Sequence, residues 1–338
     1  NCPVFAGAYN PTAPYGVKNA LNTCLNYHHW IPSHKLHEAY FGQMKEIIDW
    51  LEGHGIVFAD SIAIGAGPKI WHVYDKGNDA SPGGHFMQCF GAEAERLGTE
   101  ARFNTFGRQL IMENGKVVGL LAEDEKGNVI KVEAPVVSIG TSHEVLYGVS
   151  ETKNVNIQAL GMECRDGDDV KMAKAAGAAM AEGLGTVMWC GPVTLGAVTA
   201  TWTTDAYSAG VQPTLWLNQN GERFCKEDLW IDDFAGAGIA VRNQDRTFAL
   251  FTETDMKRWE AQGPDGQVFS FGTSGTPLAK AREDLMNAEG CHVGDGYYTT
   301  CGGIKVNEKT QILDEEGQVI PDLYAGGSDA GGLYGDSY

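Results

Sequence analysis

Basic residues are scarce and cysteine pairs are absent. The 338 residues include 25 Lys and Arg against 44 Asp and Glu, a formal net charge of −19. A surface of that sign repels phosphate backbones and anionic lipid heads, so neither nucleic acid nor a membrane surface is an expected partner. The acidity is spread along the chain and not gathered in a tail, as in an ordinary acidic surface. No apolar run reaches the length of a bilayer span, so no membrane insertion is expected. Eight cysteines stand at 2, 24, 89, 164, 190, 225, 291 and 301, and no two of them form C-x-x-C. Cys291-His292 lacks the second cysteine of a haem-attachment motif. Zinc, iron–sulfur and c-type haem sites are therefore not expected. Scattered thiols of this kind act as small buried hydrophobes. The N-terminus, Asn1-Cys2-Pro3-Val4-Phe5, has no starting Met and no basic or apolar signal region, so a processed or trimmed chain is expected. Cytoplasmic and exported locations both stay open. G-x-G-x-x-G, the usual pyrophosphate turn, occurs nowhere.

The length, with 43% hydrophobic residues, suffices for a sizeable core and suggests two domains. Residues 1–35 read as loop-rich, with Pro3, Pro11, Pro14 and Pro32 among aromatics. His37, Tyr40, Met44, Ile47, Ile48 and Leu51 recur at helical spacing and predict a helix over Leu36–Gly53, ended by Gly53 and Gly55. A second helix is expected from Phe86 to Leu97. Short strands follow at Glu100–Thr105, Gln109–Glu113, Lys116–Glu123 and Val129–Ser138, with Asn114-Gly115 and Lys126-Gly127 as hairpin turns. The meander rises into Val136-Val137-Ser138-Ile139-Gly140-Thr141, a buried strand that ends in a glycine loop.

The most specific run lies at the C-terminal end. It reads Thr299-Thr300-Cys301-Gly302-Gly303-Ile304, then Leu323-Tyr324-Ala325-Gly326-Gly327, then Gly331-Gly332-Leu333-Tyr334-Gly335-Asp336-Ser337-Tyr338. A short apolar strand running into glycines lets backbone approach a ligand closely, because no Cβ intervenes. A dinucleotide at the carboxyl end of a strand is the usual occupant. Taken in order, these segments resemble the flavin-binding C-terminal part of the fumarate reductase/succinate dehydrogenase flavoprotein family, whose relatives include urocanate reductases and 3-ketosteroid dehydrogenases. The resemblance extends to Ile139-Gly140-Thr141-Ser142, where the family reads Ala-Thr-Gly-Gly. It extends also to Gly167-Asp168-Asp169, where the family's helix opens with Gly-Asp-Gly, and to Asn220-Gly221-Glu222-Arg223-Phe224-Cys225-Lys226-Glu227, its cap-domain hairpin. Within that hairpin Arg223 and Glu227 are expected to form an internal ion pair. The Gly167 helix reads on its own as an amphipathic helix with an aspartate cap.

The resemblance implies an α/β fold, in which an incomplete Rossmann-like flavin-binding domain carries an inserted α+β cap domain. Residues 1–186 and 300–338 would build the flavin domain and 187–299 the cap. Strands Val136–Ile139 and Leu323–Ala325 should then share one sheet region. FAD is the implied cofactor. Asn1, Gly140, Thr141, Gly302, Gly303, Gly326, Gly327, Ser328, Asp329 and Gly332 are its implied contacts. The family's opening strand and pyrophosphate turn would precede Asn1, and its closing helix would follow Tyr338. The chain as given is thus expected to bind FAD weakly or not at all.

In fumarate-reducing members, two histidines and two arginines clamp the dicarboxylate and a further arginine delivers the proton. Bidentate guanidinium–carboxylate pairing explains the choice of arginine. This chain departs at almost every one of those positions. Gly191-Pro192-Val193 replaces His-Pro-Thr, and Thr204, Tyr207, Ile231, Thr299 and Tyr338 stand at other clamp or proton-donor positions. Asp232 and Asp233 would repel a dicarboxylate in a desolvated pocket. Thr204, Tyr207, Ile231, Thr299 and Tyr334 become the expected substrate-facing residues. Tyr298 and Tyr338 are the expected proton donors, since a phenol serves as general acid. Tyr207, Trp216, Trp230, Tyr297, Tyr298, Tyr334 and Tyr338 are read either as core packing or as an aromatic wall for a neutral or aromatic substrate. The expected function is hydride transfer between flavin N5 and an activated C=C bond or similar electron-poor small molecule, not fumarate. A small-molecule electron acceptor and a separate electron donor would be its partners. A ketosteroid-dehydrogenase-like enzyme with tyrosine acid/base groups, a non-catalytic fragment without flavin, and a plain ligand-binding module are the alternatives.

Overall fold

A computed structural model describes residues 3–5, 16–62, 71–75, 82–140, 157–159, 167–181, 187–195, 200–201, 215–229, 236–237, 240, 243–245, 247–250, 252–254, 257, 292–300 and 302–334. The N-terminal part holds β1 (Pro3–Phe5), α1 (Val17–Tyr27), α2 (His34–Gly53), β2 (Phe58–Ile62), β3 (Trp71–Tyr74) and α3 (Pro82–Arg96). The helix α1 corrects the loop reading of residues 1–35. Its Ala20, Leu21, Cys24 and Leu25 lie one turn apart and pack on Phe41, Met44 and Ile48 of α2. Ser33 caps α2, its hydroxyl accepting from the Leu36 N–H at 3.3 Å. At the other end the chain leaves the helix through Gly55, whose φ of +84° favours glycine. Leu51 and Ile56 then pack against Phe86 and Cys89 of α3.

The next segment is an antiparallel meander of β4 (Thr105–Glu113), β5 (Lys116–Asp124) and β6 (Val129–Glu133). Asn114 and Gly115, at φ +50° and +76°, form the first turn. The expected strand Val129–Ser138 is cut in two. Pro135 cannot donate to a ladder, and β7 (Val137–Ile139) joins a different sheet. Glu100–Thr105 is not a strand, and β4 begins only at Thr105.

Further along stand β8 (Ile157–Ala159), α4 (Asp168–Ala175), β9 (Val187–Leu195), β10 (Ala200–Thr201), β11 (Leu215–Asn218), β12 (Thr247–Leu250) and β13 (His292–Thr300). One sheet has the order β10-β9-β13-β8, and β11 pairs with β12. The chain then forms β14 (Ile304–Lys305), β15 (Gln311–Leu313), β16 (Val319–Ala325) and β17 (Ala330–Gly331). Strand β16 runs antiparallel to β15 and parallel to β7, with Leu323, Tyr324 and Ala325 opposite Val137, Ser138 and Ile139. The expected meeting of those two strands is therefore present.

The main core draws on segments far apart in sequence. Leu110 and Val117 of the meander, Val137 and Ile139 of β7, and Val170 and Ala173 of α4 pack with Ile304, Ile312, Leu323 and Ala325. Ile304, Ile312 and Leu323 are fully buried. Truncating any one to Ala costs about 2–5 kcal/mol. Burial of this C-terminal stretch thus fixes its glycine turns against β7 and α4. Among the described residues no helix is long and apolar enough to cross a membrane.

Candidate functional site

The parallel pairing of β7 and β16 carries both strands to the same edge, and each ends in glycine. Gly140 follows Ile139, and Gly326 follows Ala325. The Gly326 N–H donates to the Ile139 carbonyl at 2.9 Å, so the ladder continues into the turn. A Cβ on Gly140 would lie 3.4 Å from the Gly326 oxygen, tight but not a collision. Gly327 has φ +60°, which favours glycine, and begins a short 3-10 turn, Gly327–Asp329. Gly140, Gly327 and Ser328 are exposed, whereas Asp329 is fully buried. Exposed backbone without side chains at the carboxyl ends of adjacent parallel strands is what a nucleotide cofactor needs for close approach.

The other predicted glycines form a second layer beneath this edge. Gly303 has φ +128°, and a Cβ there would sit 2.4 Å from the Asp329 oxygen and 2.9 Å from the Gly331 nitrogen. A Cβ on Gly331 would meet the Ala181 Cβ at 2.4 Å. Gly302, at φ +93°, leads into this crossing. Strands β14 and β17 pair in parallel here, and the Ala181 N–H donates to the Gly303 carbonyl at 2.8 Å. Backbone packing within the protein accounts for these glycines without a ligand. Gly332, at φ +96°, accepts from the Ser33 N–H at 3.0 Å and ties the turn to the start of α2.

Two buried residues that the sequence does not advertise hold these turns. Asp169 of α4 accepts the Gly140 N–H on Oδ2 at 2.9 Å. His28, buried just beyond α1, meets the Tyr334 ring edge-on at 5.5 Å and lies 6.1 Å from His37. Tyr334 keeps 38% of its surface exposed. Burial pushes the His37 pKa down from its ordinary 6.5, opposed by the Ser33 carbonyl at its Nδ1 and helped by nearby His34. His37 is consequently a neutral packing residue at pH 7.

The substrate-facing and proton-donor positions fall elsewhere. Tyr298 and Thr299 lie on β13, whose backbone is described. Its register against β9 places Gly296 opposite Gly191, Tyr297 opposite Trp189 and Thr299 opposite Met188. The register shifts on both sides of Tyr297, and the second shift falls at Tyr298. Gly191 and Thr299 are thereby brought onto neighbouring strands of one sheet. Asn1, Thr141, Thr204, Tyr207, Ile231 and Tyr338 lie outside the described residues.

The hairpin after β11 has its expected ion pair. Arg223 Nε and Nη2 donate to the two Glu227 carboxylate oxygens at 2.8 and 2.6 Å. Asn218 stabilises the turn, its Oδ1 accepting from the N–H groups of Asn220 and Glu222, both at 3.0 Å. Trp216 is buried with its ring edge against Phe224 at 6.2 Å, which is core packing and not a ligand wall. An open groove of about 570 Å³ lies between β4 and α4. None of the glycine-turn residues lines it, and its charges are paired, Asp168 meeting Arg108 at 3.2 Å and Lys171 at 3.0 Å. Among the described residues no cluster of three or more His, Cys, Asp or Glu could hold a metal.

The model of an FAD binding domain matches residues 15–338. The chain belongs to this family of FAD-binding flavoproteins. It is 23% identical to the vinyl phenol reductase of Lactiplantibacillus plantarum, covering 95% of this chain and 78% of that protein. That alignment spans 395 residues, more than the chain contains, so the relative carries segments within the match that this flavoprotein lacks. It is 22% identical to a fumarate reductase (cytochrome) of Shewanella frigidimarina over 86% of the chain, and spans 57% of that protein's length. The fold also matches a 3-ketosteroid-Δ4-(5α)-dehydrogenase from Rhodococcus jostii RHA1, with a TM-score of 0.69 at 16% identity over 99% of this chain and 83% of that one. FAD is the family's cofactor, and its members include reductases and dehydrogenases. The open glycine edge of this flavoprotein fits such a group.

Proposed function

We propose that the protein is an FAD-dependent reductase of a C=C bond conjugated to an aromatic ring or a carbonyl, on a neutral substrate, and that fumarate is not its substrate. This reading is carried by the uncharged residues at the positions that, by the resemblance, would hold the cationic clamp. Gly191, Thr204, Ile231, Thr299 and Tyr338 are all uncharged, and Asp232 and Asp233 stand beside Ile231. A dicarboxylate in such a pocket would be desolvated without counter-charge, which costs several kcal/mol. A neutral substrate pays no such cost. The name of the Lactiplantibacillus relative, a vinyl phenol reductase, points to the same substrate class.

The flavin, when bound, supplies the hydride and so carries the difficult step. The turns at Gly140 and Gly326–Asp329 are assigned to hold it, with Asn1 and Thr141 as further contacts, while Gly302, Gly303 and Gly332 shape the layer beneath. Residues 187–299 are assigned as an α+β cap inserted into a Rossmann-like flavin domain. Tyr298 and Tyr338 are assigned to deliver the proton, and Thr204, Tyr207, Thr299 and Tyr334 to orient the substrate. The alkene is the small-molecule electron acceptor, taking the hydride and a proton, and a separate electron donor reduces the flavin again. A second reading, enone chemistry on a steroid-like ketone, is favoured by one feature. Thr300-Cys301-Gly302-Gly303 resembles the Thr-x-Gly-Gly of ketosteroid dehydrogenases, and Gly335-Asp336-Ser337-Tyr338 keeps the first and last residues of their Gly-His-Thr-Tyr.

Titrating the oxidised flavoprotein with neutral phenolic alkenes, a steroid enone and fumarate, while following the flavin absorption band, separates these readings. A neutral phenol should perturb the band with a dissociation constant in the micromolar to millimolar range, and fumarate should leave it unchanged. A perturbation by fumarate alone would overturn the proposal.

A further inference from the structure

Asp169 does not cap its own helix. Gly167, at φ +77°, occupies the N-cap of α4 and offers no side-chain bond. The Asp169 carboxylate is instead buried and turned across the core to β7, where Oδ2 accepts the Gly140 N–H at 2.9 Å. A buried carboxylate is retained where it is hydrogen-bonded, and a bond from a backbone N–H to a charged acceptor is among the stronger kinds. Gly140 is the first residue beyond β7, at the edge where Gly327 and Ser328 are exposed. Backbone groups of the second turn lie close to it. The Gly326 oxygen lies 3.4 Å from where a Gly140 Cβ would stand, and the Gly140 oxygen lies 3.6 Å from a Cβ placed on Gly327. The bond from α4 therefore orients the Gly140 peptide inward, and this peptide packs against the second turn.

We propose that Asp169 is a positioning residue for the cofactor. It draws the Gly140 N–H inward and fixes how the Gly140 turn packs on the Gly327 turn, and so the shape of the exposed edge against which FAD binds. The affinity for FAD then depends on an acceptor oxygen at position 169 more than on the charge itself. This rests on the flavin reading of the glycine edge.

Two substitutions and two measurements test it on the full chain. In the flavin-free protein, Asp169→Ala should speed amide hydrogen exchange in the Ile139–Gly140 segment by roughly tenfold to a hundredfold, with exchange in β4 and β5 unchanged. Asp169→Asn, which keeps the acceptor oxygen, should restore protection. In FAD titrations followed by flavin fluorescence, Asp169→Ala should weaken binding by roughly tenfold or more. Asp169→Asn should stay within about threefold of the unaltered protein. Equal exchange and equal FAD affinity in Asp169→Ala would overturn the role of Asp169 while leaving the flavin reading intact. Failure of the unaltered protein to bind FAD would overturn the flavin reading and the affinity claim with it. Loss of affinity in both variants to the same extent would overturn the acceptor role.

Discussion

The glycine turns and the β9–β13 sheet use opposite means to build a site. At the turns, backbone meets backbone. Gly303 crosses Asp329 and Gly331 so closely that no side chain fits, and Gly326 bonds directly to Ile139. On the β9–β13 sheet the backbone is an ordinary antiparallel ladder with a register shift at Tyr298, and the chemistry depends on which side chains it carries. Geometry made of backbone survives wide divergence, provided that glycine is kept where it is needed. Geometry made of side chains changes one residue at a time. On the proposed reading, this contrast lets a chain 22–23% identical to the relatives it matches hold a backbone-built cofactor edge while its substrate residues differ.

The largest expected effect breaks the backbone crossing. Gly303→Ala places a Cβ 2.4 Å from the Asp329 oxygen at a φ of +128°, so stability should fall by about 3 kcal/mol or more in chemical denaturation. Gly326→Ala is its counterpart on the open face. A Cβ there meets nothing within 4 Å, so stability should change by less than about 1 kcal/mol, and FAD affinity should fall instead. Equal destabilisation by both would erase the distinction between the two layers.

On the sheet, Tyr298→Phe should lower turnover roughly a hundredfold while leaving the flavin spectrum unchanged, measured under steady state with a neutral alkene. A smaller effect comes from pH. Burial lowers the pKa of His37 and of His72 below 6.5 in the folded state, so the unfolded chain binds protons more readily. Stability is therefore full above pH 6.5 and falls as pH drops below it, by at most about 1.4 kcal/mol per pH unit for each histidine. His37→Gln should flatten part of that slope in thermal melts between pH 7 and pH 5. The smallest effect is expected at Arg223→Gln. That ion pair is solvent-exposed, so the melting temperature should move by about 1 °C or less.

Where order along the chain encodes backbone geometry, the sequence is readable. The strand-to-glycine runs at Ile139-Gly140 and Ala325-Gly326 correspond to parallel neighbours, and Arg223 meets Glu227 as the hairpin pattern implies. Helix α1 escaped notice because Asn19, Asn22 and Asn26 are weak helix formers and prolines stand on both sides. Its apolar positions make sense only against Phe41 and Met44. The break at Pro135 lies within an apolar, strand-like run, and only the switch of β7 to a different sheet reveals it. The aspartate cap expected for the helix after Gly167 is not formed, since Gly167 is the N-cap, and the role of Asp169 is hidden because its partner Gly140 lies 29 residues away. Contacts of that range leave no periodic trace. The substrate side is the least legible, because its identity rests on side chains drawn from several separate strands and loops.

The central claim is that this flavoprotein reduces a neutral conjugated alkene and not fumarate. Rapid anaerobic mixing of the photoreduced holoprotein with each substrate, following return of the oxidised flavin band near roughly 450 nm, tests it most directly. The account predicts reoxidation by a neutral aryl or carbonyl-conjugated alkene and none by fumarate above the buffer rate. Fast reoxidation by fumarate, with none by neutral alkenes, would contradict it.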